Sequence, residues 1–276
     1  MTIRFEGVSK GFGPAESRKT ILRDVSFSVA SGEILFILGR SGMGKSVTLK
    51  HIVGILKPDS GRVEVDGIDV TRLGEDELAE IRRVCGMVFQ HPALLDSLTV
   101  YDNVAFGLRT PQYRLSRREP LTSDEERAIV LEKLKLVHLN ESILERRPPE
   151  ISYGMQKRVS LARTLAPSPR YLLFDEPTTG LDPITTTAVN DLIRDLSREL
   201  RVTSVVVSHD MACALKIADR ILVLDQARIL ALGTVPEIVA RGKTEPLIRD
   251  FLSETLALLP PEERERLGLR AQGGAT

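Results

Sequence analysis

Between Gly39 and Ser46 the chain reads GRSGMGKS, a G-x-x-x-x-G-K-S spacing set between a continuously apolar run, Ile34 to Leu38, and a helical segment, KSVTLKHIVGIL. A strand, a glycine-rich turn and a helix in that order form a phosphate cradle. Gly42 and Gly44 let the main chain curl so that several N–H groups aim at one anion, in conformations that a Cβ would obstruct. Gly39, Arg40, Ser41, Met43 and Val47 make up the rest of the loop and its exit into the helix. Lys45 has the reach for the β- and γ-phosphates of a nucleotide, and the Ser46 hydroxyl suits one position on Mg²⁺. The plainer alternative, a turn carrying a surface lysine, leaves the flanking strand and helix unexplained.

A phosphate-bound metal also needs a carboxylate from a neighbouring buried strand, and YLLFDE supplies Asp175 for that side. Glu176 follows at the strand's mouth, where it can accept a hydrogen bond from an attacking water; without the phosphate loop, the same two acids before Pro177 would only cap a turn. VVVSHD ends another apolar run in Ser208, His209 and Asp210. The carboxyl edge of an open α/β sheet is where ligands collect, which makes His209 a candidate γ-phosphate contact rather than only hydrogen-bonded structure. EISYGMQKR, Glu150 to Arg158, marks a helix start. Ser152 can simply cap that helix. The unpaired N–H groups and dipole there, beside the small Gly154, also suit an anion.

The elements that must hold these groups follow from periodicity. Thr2 to Val8 and Ile21 to Val29 alternate in part between apolar and polar residues, as antiparallel strands with one wet face do. Asp66-Gly67 is placed like a hairpin turn between two short strands. Ile34 to Leu38, Tyr171 to Phe174 and Thr203 to Val207 are apolar throughout, the pattern of strands covered on both faces. Between the last two, Val189, Leu192, Ile193 and Leu196 give one helical stripe behind Pro183. Val100 to about Val137 is mostly helical, with Arg109 to Arg127 a charged, proline-broken connection. Strands alternating with helices predict an α/β fold: a P-loop NTPase core with a mainly parallel sheet, an N-terminal antiparallel β subdomain and an inserted α-helical subdomain over about 91–166.

The whole chain sets outer bounds. Its 276 residues, 42% of them hydrophobic, suit a large core with a smaller subdomain. Lys plus Arg and Asp plus Glu both number 38, so no net field draws it to nucleic acid. Cys85 and Cys213 stand far apart without metal spacing and read as buried thiols in a reducing compartment. The start lacks the apolar region of a signal peptide, and no run has the length of a membrane span. A cytoplasmic chain is expected, and any transport would need separate membrane subunits.

With GRSGMGKS, ISYGM, YLLFDEPTTGLD and VVVSHD in this order, the chain resembles the ATP-binding subunit of ABC transporters from about Thr2 to Ala240. The resemblance implies an ATPase domain over 1–242, an extension over 243–276, ATP and Mg²⁺ as cofactors, and a homodimer paired head to tail. In such a pair Ser152 and Gly154 would close on the nucleotide held by the other copy's phosphate loop. It further implies that Phe12 stacks on adenine, although a lone aromatic there is as readily plain packing. Gln90 would sense metal and attacking water beside the membrane-subunit interface, Asp182 would link the two sites, and Glu176 would be the base. The family signature LSGGQ is changed at Ile151, Tyr153 and Met155, while Ser152 and Gly154 are kept. Activity is expected to survive if Tyr153 points sideways.

The stretch MVFQHPALLDSLTVYDNVAFGLR, with a Met in the signature followed by QKRVSLARTLA, looks like the ATPases of Mla and MCE-type phospholipid transporters. That likeness implies lipid cargo, integral permease subunits, an MCE lipid-binding protein, a small STAS-domain subunit, and a place on the cytoplasmic face of the inner membrane. Another cargo, such as an amino acid or lipoprotein, is the alternative, since an ATPase carries little cargo information; a non-transport ABC switch is the other. Leu94 and Leu95 would meet the permease or belong to the subdomain core. Leu247, Ile248, Phe251 and Leu252, with Leu259 before Pro260 and Pro261, form a helical stripe that folds back on its own domain or grips a partner.

Overall fold

The computed structural model describes residues 2–117 and 119–258. In chain order it builds β1 (Ile3–Phe12), β2 (Lys19–Val29), β3 (Ile34–Leu38), α1 (Lys45–Ile52), β4 (Ser60–Val65), β5 (Ile68–Asp69), α2 (Glu75–Val84) and β6 (Cys85–Val88). The helical part follows with α3 (Val100–Ala105), α4 (Pro111–Leu115), α5 (Ser123–Leu136) and α6 (Tyr153–Leu165). The chain then returns to the sheet through β7 (Tyr171–Asp175), α7 (Pro183–Glu199), β8 (Thr203–Ser208), α8 (Met211–Ile217), β9 (Arg220–Asp225), β10 (Arg228–Thr234) and α9 (Val235–Arg241), and ends its described part in α10 (Pro246–Leu258).

Two sheets share the work. The larger has the order β10-β9-β3-β8-β7-β6, parallel except where β10 runs antiparallel to β9. The smaller, β2-β1-β4-β5, is antiparallel. All five side chains of β3 are buried, and alternation sends them to different cores. Ile34, Phe36 and Leu38 join the core under the helical part, together with Leu172, Phe174 and Val206. Leu35 and Ile37 join the core between the sheets, with Leu173, Val205 and the stacked pair Phe5 and Phe27. Each such side chain contributes roughly 1.5–3 kcal/mol. Both cores thus anchor the strand that feeds the phosphate loop.

The Asp66-Gly67 turn is present, with both residues at positive φ and Val65 paired to Ile68, as a two-residue hairpin requires. β1 and β2 run further than their alternation predicts, to Phe12 and from Lys19. Register shifts between Phe5 and Val8, Val8 and Lys10, and Lys10 and Gly11 break the two-residue period while the pairing continues. Between 109 and 127 the described residues hold more helix than the prolines and charges suggest. The stretch contains α4 and the start of α5, whose Thr122 caps the helix, and Arg109 binds both Asp102 and Glu126. The tail stripe folds back: Ile248 and Leu252 are buried in the domain's own core, leaving Leu247 outward. Leu259, Pro260 and Pro261 lie outside the described residues. Both cysteines are free and buried, and burial pushes the Cys85 thiol up to about 12.

Candidate functional site

The loop after β3 is shaped by what its glycines permit. A Cβ on Gly39 would stand 2.5 Å from the Leu224 carbonyl of β9, and one on Gly44 would stand 2.8 Å from the Ile21 carbonyl. Gly42 and Gly44 both adopt positive φ. Gly44 caps α1 without a side chain, so the first N–H groups of that helix are left for a ligand. These features open onto a cleft of about 790 Å³ whose walls include Phe12, Ser41, Lys45, Ser46, Gln90, Glu176 and His209. Arg40, Gly42, Gly44 and Val47 line it too, as do Lys19, Ile21 and Thr179, which sequence reasoning passed over.

Lys45 is nearly buried, and its Nζ donates to the carbonyls of Gly39 at 2.8 Å and Arg40 at 3.3 Å. It also stands 3.3 Å from Glu176 Oε1. The other Glu176 oxygen, Oε2, lies 2.7 Å from His209 Nδ1 and accepts from Thr179 Oγ1 at 3.3 Å. Glu176 adopts φ +49°, a left-handed conformation that few side-chain-bearing residues take. Its N–H donates to Val207 of β8 at 2.9 Å, which holds it there. Ser46 Oγ donates to Asp175 Oδ1 at 2.7 Å. A hydroxyl and a carboxylate brought together at a phosphate loop are hard oxygen donors, which fit Mg²⁺.

Phe12 is 42% exposed on the cleft wall, with Lys10 Nζ 5.6 Å from its ring centroid. The Asp59 carboxylate ties the end of β1 to the connection into β2 by accepting from Arg18, from the Gly11 N–H at 2.7 Å and from Lys10 at 3.1 Å. Asp175 meets the loop through Ser46, while Gly39 and Met43 are parts of the loop itself. Ser152, Gly154 and Asp182 do not line the cleft. Ser152 caps α6, accepting from Met155 N at 3.3 Å, and Asp182 caps α7, accepting from Ile184 N and Thr185 N at 3.0 Å each. Tyr153 turns sideways: its hydroxyl is 3.3 Å from His91 Nδ1, and Lys157 Nζ lies 5.5 Å from its ring centroid. Leu95 is exposed, whereas Leu94 packs partly into the helical core.

Residues 22–179 match the family model described as ABC transporter. The chain belongs to the ABC transporter family. It is 41% identical to the methionine import ATP-binding protein MetN of Cupriavidus metallidurans, over 92% of this chain and 72% of that protein. The MetN protein of Haemophilus influenzae strain 86-028NP is 37% identical over 95% and 73%. Among solved structures, a dimeric post-hydrolysis ATP-binding cassette bound to ADP and Pi superposes with TM-score 0.76 at 34% identity, covering 84% of this chain and 98% of that one. The structure of cbiO1 from Clostridium perfringens, part of the ABC transporter complex cbiONQ, gives 0.75 at 27% identity over 96% and 98%. The fold is thus the ABC ATPase cassette, and the chain is an ABC ATPase.

These relatives correct the cargo expected from the sequence. Their names carry methionine import, which overturns the lipid reading and favours the amino-acid alternative. The Mla likeness, with its MCE and STAS-domain partners, goes with it. Gln90 and Met155, which belonged to that likeness, sit beside the nucleotide cleft and at the start of α6, where they carry no cargo chemistry.

Proposed function

We propose that this chain is the ATP-hydrolysing subunit of an ABC importer for an amino acid, with methionine the cargo that its relatives' names support. It works as a head-to-tail homodimer on integral permease subunits, at the cytoplasmic face of the membrane, with ATP and Mg²⁺ as cofactors. The observation that carries the hydrolytic part is Glu176, fixed between Lys45 and His209 at the mouth of the phosphate loop. No helix among the described residues is long and apolar enough to cross a membrane, which agrees with attachment through other subunits.

Ser46 and Asp175, with Gln90 nearby, would hold Mg²⁺, which when bound neutralises charge on the phosphate oxygens. Lys45 exchanges its carbonyl partners for the β- and γ-phosphates, and the free N–H groups of the loop and of α1 take the remaining oxygens. Leaving Glu176 in this way, Lys45 frees a carboxylate oxygen for the attacking water, while His209 fixes the other. Phe12 offers its exposed face to the adenine. Ser152 and Gly154 of the partner subunit complete the γ-phosphate cage, and Asp182 lies on the path between the two sites. With Tyr153 held against His91, the signature's small groups are left unobstructed and turnover survives the altered signature. The domain boundary proposed at residue 242 follows the end of α9.

The test is reconstitution with integral permease subunits of an amino-acid importer. ATP-dependent uptake of methionine is the expected result; retention of phospholipid with no amino-acid uptake would overturn the cargo.

A further inference from the structure

α6 carries a single lysine, and it is buried. Lys157 is 6% exposed, yet its ammonium has three donors to satisfy. It donates to the main-chain carbonyls of Gln90 at 2.8 Å, Pro177 at 2.8 Å and Thr179 at 3.1 Å. Gln90 lies on the chain leaving β6, and Pro177 and Thr179 lie on the chain leaving β7. Both segments also place side chains on the nucleotide cleft, through Gln90, Glu176 and Thr179, whereas Lys157 does not line it.

One turn earlier on the same helix, Tyr153 repeats the connection. Its hydroxyl meets His91, next to Gln90, and its ring stands beside Gly180, where an added Cβ would come 3.7 Å from Cε1. The large residue that replaces a signature glycine therefore fills the gap between the helix start and the same two segments. Burial pushes the Lys157 amine down to about 8 while the Glu176 carboxylate opposes that shift, and three carbonyl acceptors match the three donors of the ammonium form.

We propose that Lys157 is a positioning residue that yokes the start of α6, with Ser152 and Gly154, to the segments following Gln90 and Glu176 in the same subunit, Tyr153 and His91 adding a second tie. The proposal rests on the reading that Ser152 serves the partner's nucleotide. Because the clamp uses main-chain carbonyls, it fixes geometry without taking a hydrogen-bond acceptor from the reacting carboxylates. Rearrangement of Gln90 and Glu176 around a subunit's own nucleotide then carries its signature helix with it, and the signature meets the opposite pocket only when its own pocket is filled.

The test uses the full chain in a Glu176→Gln background, in which hydrolysis is expected to be slow enough to keep ATP bound, and measures ATP affinity and ATP-dependent dimerisation on the same samples. Lys157→Met is expected to leave ATP affinity within about twofold and to weaken dimerisation about tenfold or more, the scale of losing charged hydrogen bonds. Lys157→Arg, which keeps the donors, is expected to restore most of it. Unchanged dimerisation, or equal loss of affinity and dimerisation, overturns the proposal. Should the methionine variant not fold, Lys157→Gln keeps one N–H₂ group and is expected to lose about threefold in dimerisation alone; no loss overturns the proposal equally. A Glu176→Gln parent that binds ATP and never dimerises defeats the across-dimer reading itself, and the proposal falls with it.

Discussion

Glu176 takes one carboxylate contact from a buried lysine, another from a histidine, and a backbone conformation that β8 enforces through Val207. Replacing it by Gln keeps the shape and one acceptor oxygen and removes the basicity. Glu176→Gln is expected to bind ATP as the wild type does and to hydrolyse it about 10²–10⁴-fold more slowly, the range for loss of a general base. Turnover like that of the wild type would reassign the base. At this scale most of the cleft could be read from the sequence, because the glycines, Lys45, Ser46, Asp175 and His209 occupy a fixed spacing around apolar strands. Lys157 could not be found that way. Its three partners are main-chain carbonyls on chain segments 20 or more residues away, and a lysine inside a helix carries no signal of burial.

Among the elements, β3, β7 and β8 were legible because a strand covered on both faces is apolar at every position. β6 was not. Its CGMV sequence includes Gly86, whose missing side chain admits Thr164, since a Cβ there would come 2.6 Å from that methyl group. The loop between β1 and β2 offers a test of its own. Arg18, the Gly11 N–H and Lys10 hold the Asp59 carboxyl well below its ordinary value, and Phe12, the last residue of β1, lies between two of these ties, at Gly11 and Arg18. Asp59→Asn is expected to raise KM for ATP about fivefold, the effect of roughly 1 kcal/mol in loop ordering, with kcat little changed. A folded-state pKa below the unfolded one stabilises above the unfolded value of 3.8 and is lost as pH falls through the folded one. The same variant should therefore flatten the acid limb of a thermal-stability profile below about pH 4, modestly, since the group is partly exposed. An unaltered KM and acid limb would mean that Asp59 does not organise the loop.

For the whole molecule, the residues proposed to bind nucleotide and those proposed to complete its cage stand on different surfaces of one chain. Phe12, Lys45 and Glu176 face the cleft, whereas Ser152 and Gly154 do not. The sequence places both sets in the right order and could not say that a single copy keeps them apart, because that depends on how α6 packs against the sheet. Cargo was the least legible property: an ATPase sequence carries little cargo information, and the correction from lipid to amino acid came from the relatives' names.

The central claim is that two copies each close the other's pocket. Its most direct measurement is inter-subunit cross-linking of the Glu176→Gln chain carrying Ser41→Cys and Ser152→Cys, both at exposed positions, while the native Cys85 and Cys213 stay buried and unreactive. With a short thiol cross-linker, ATP should produce a covalent dimer that neither single-cysteine chain forms. A species that stays monomeric in saturating ATP, with the permease subunits present, would contradict it.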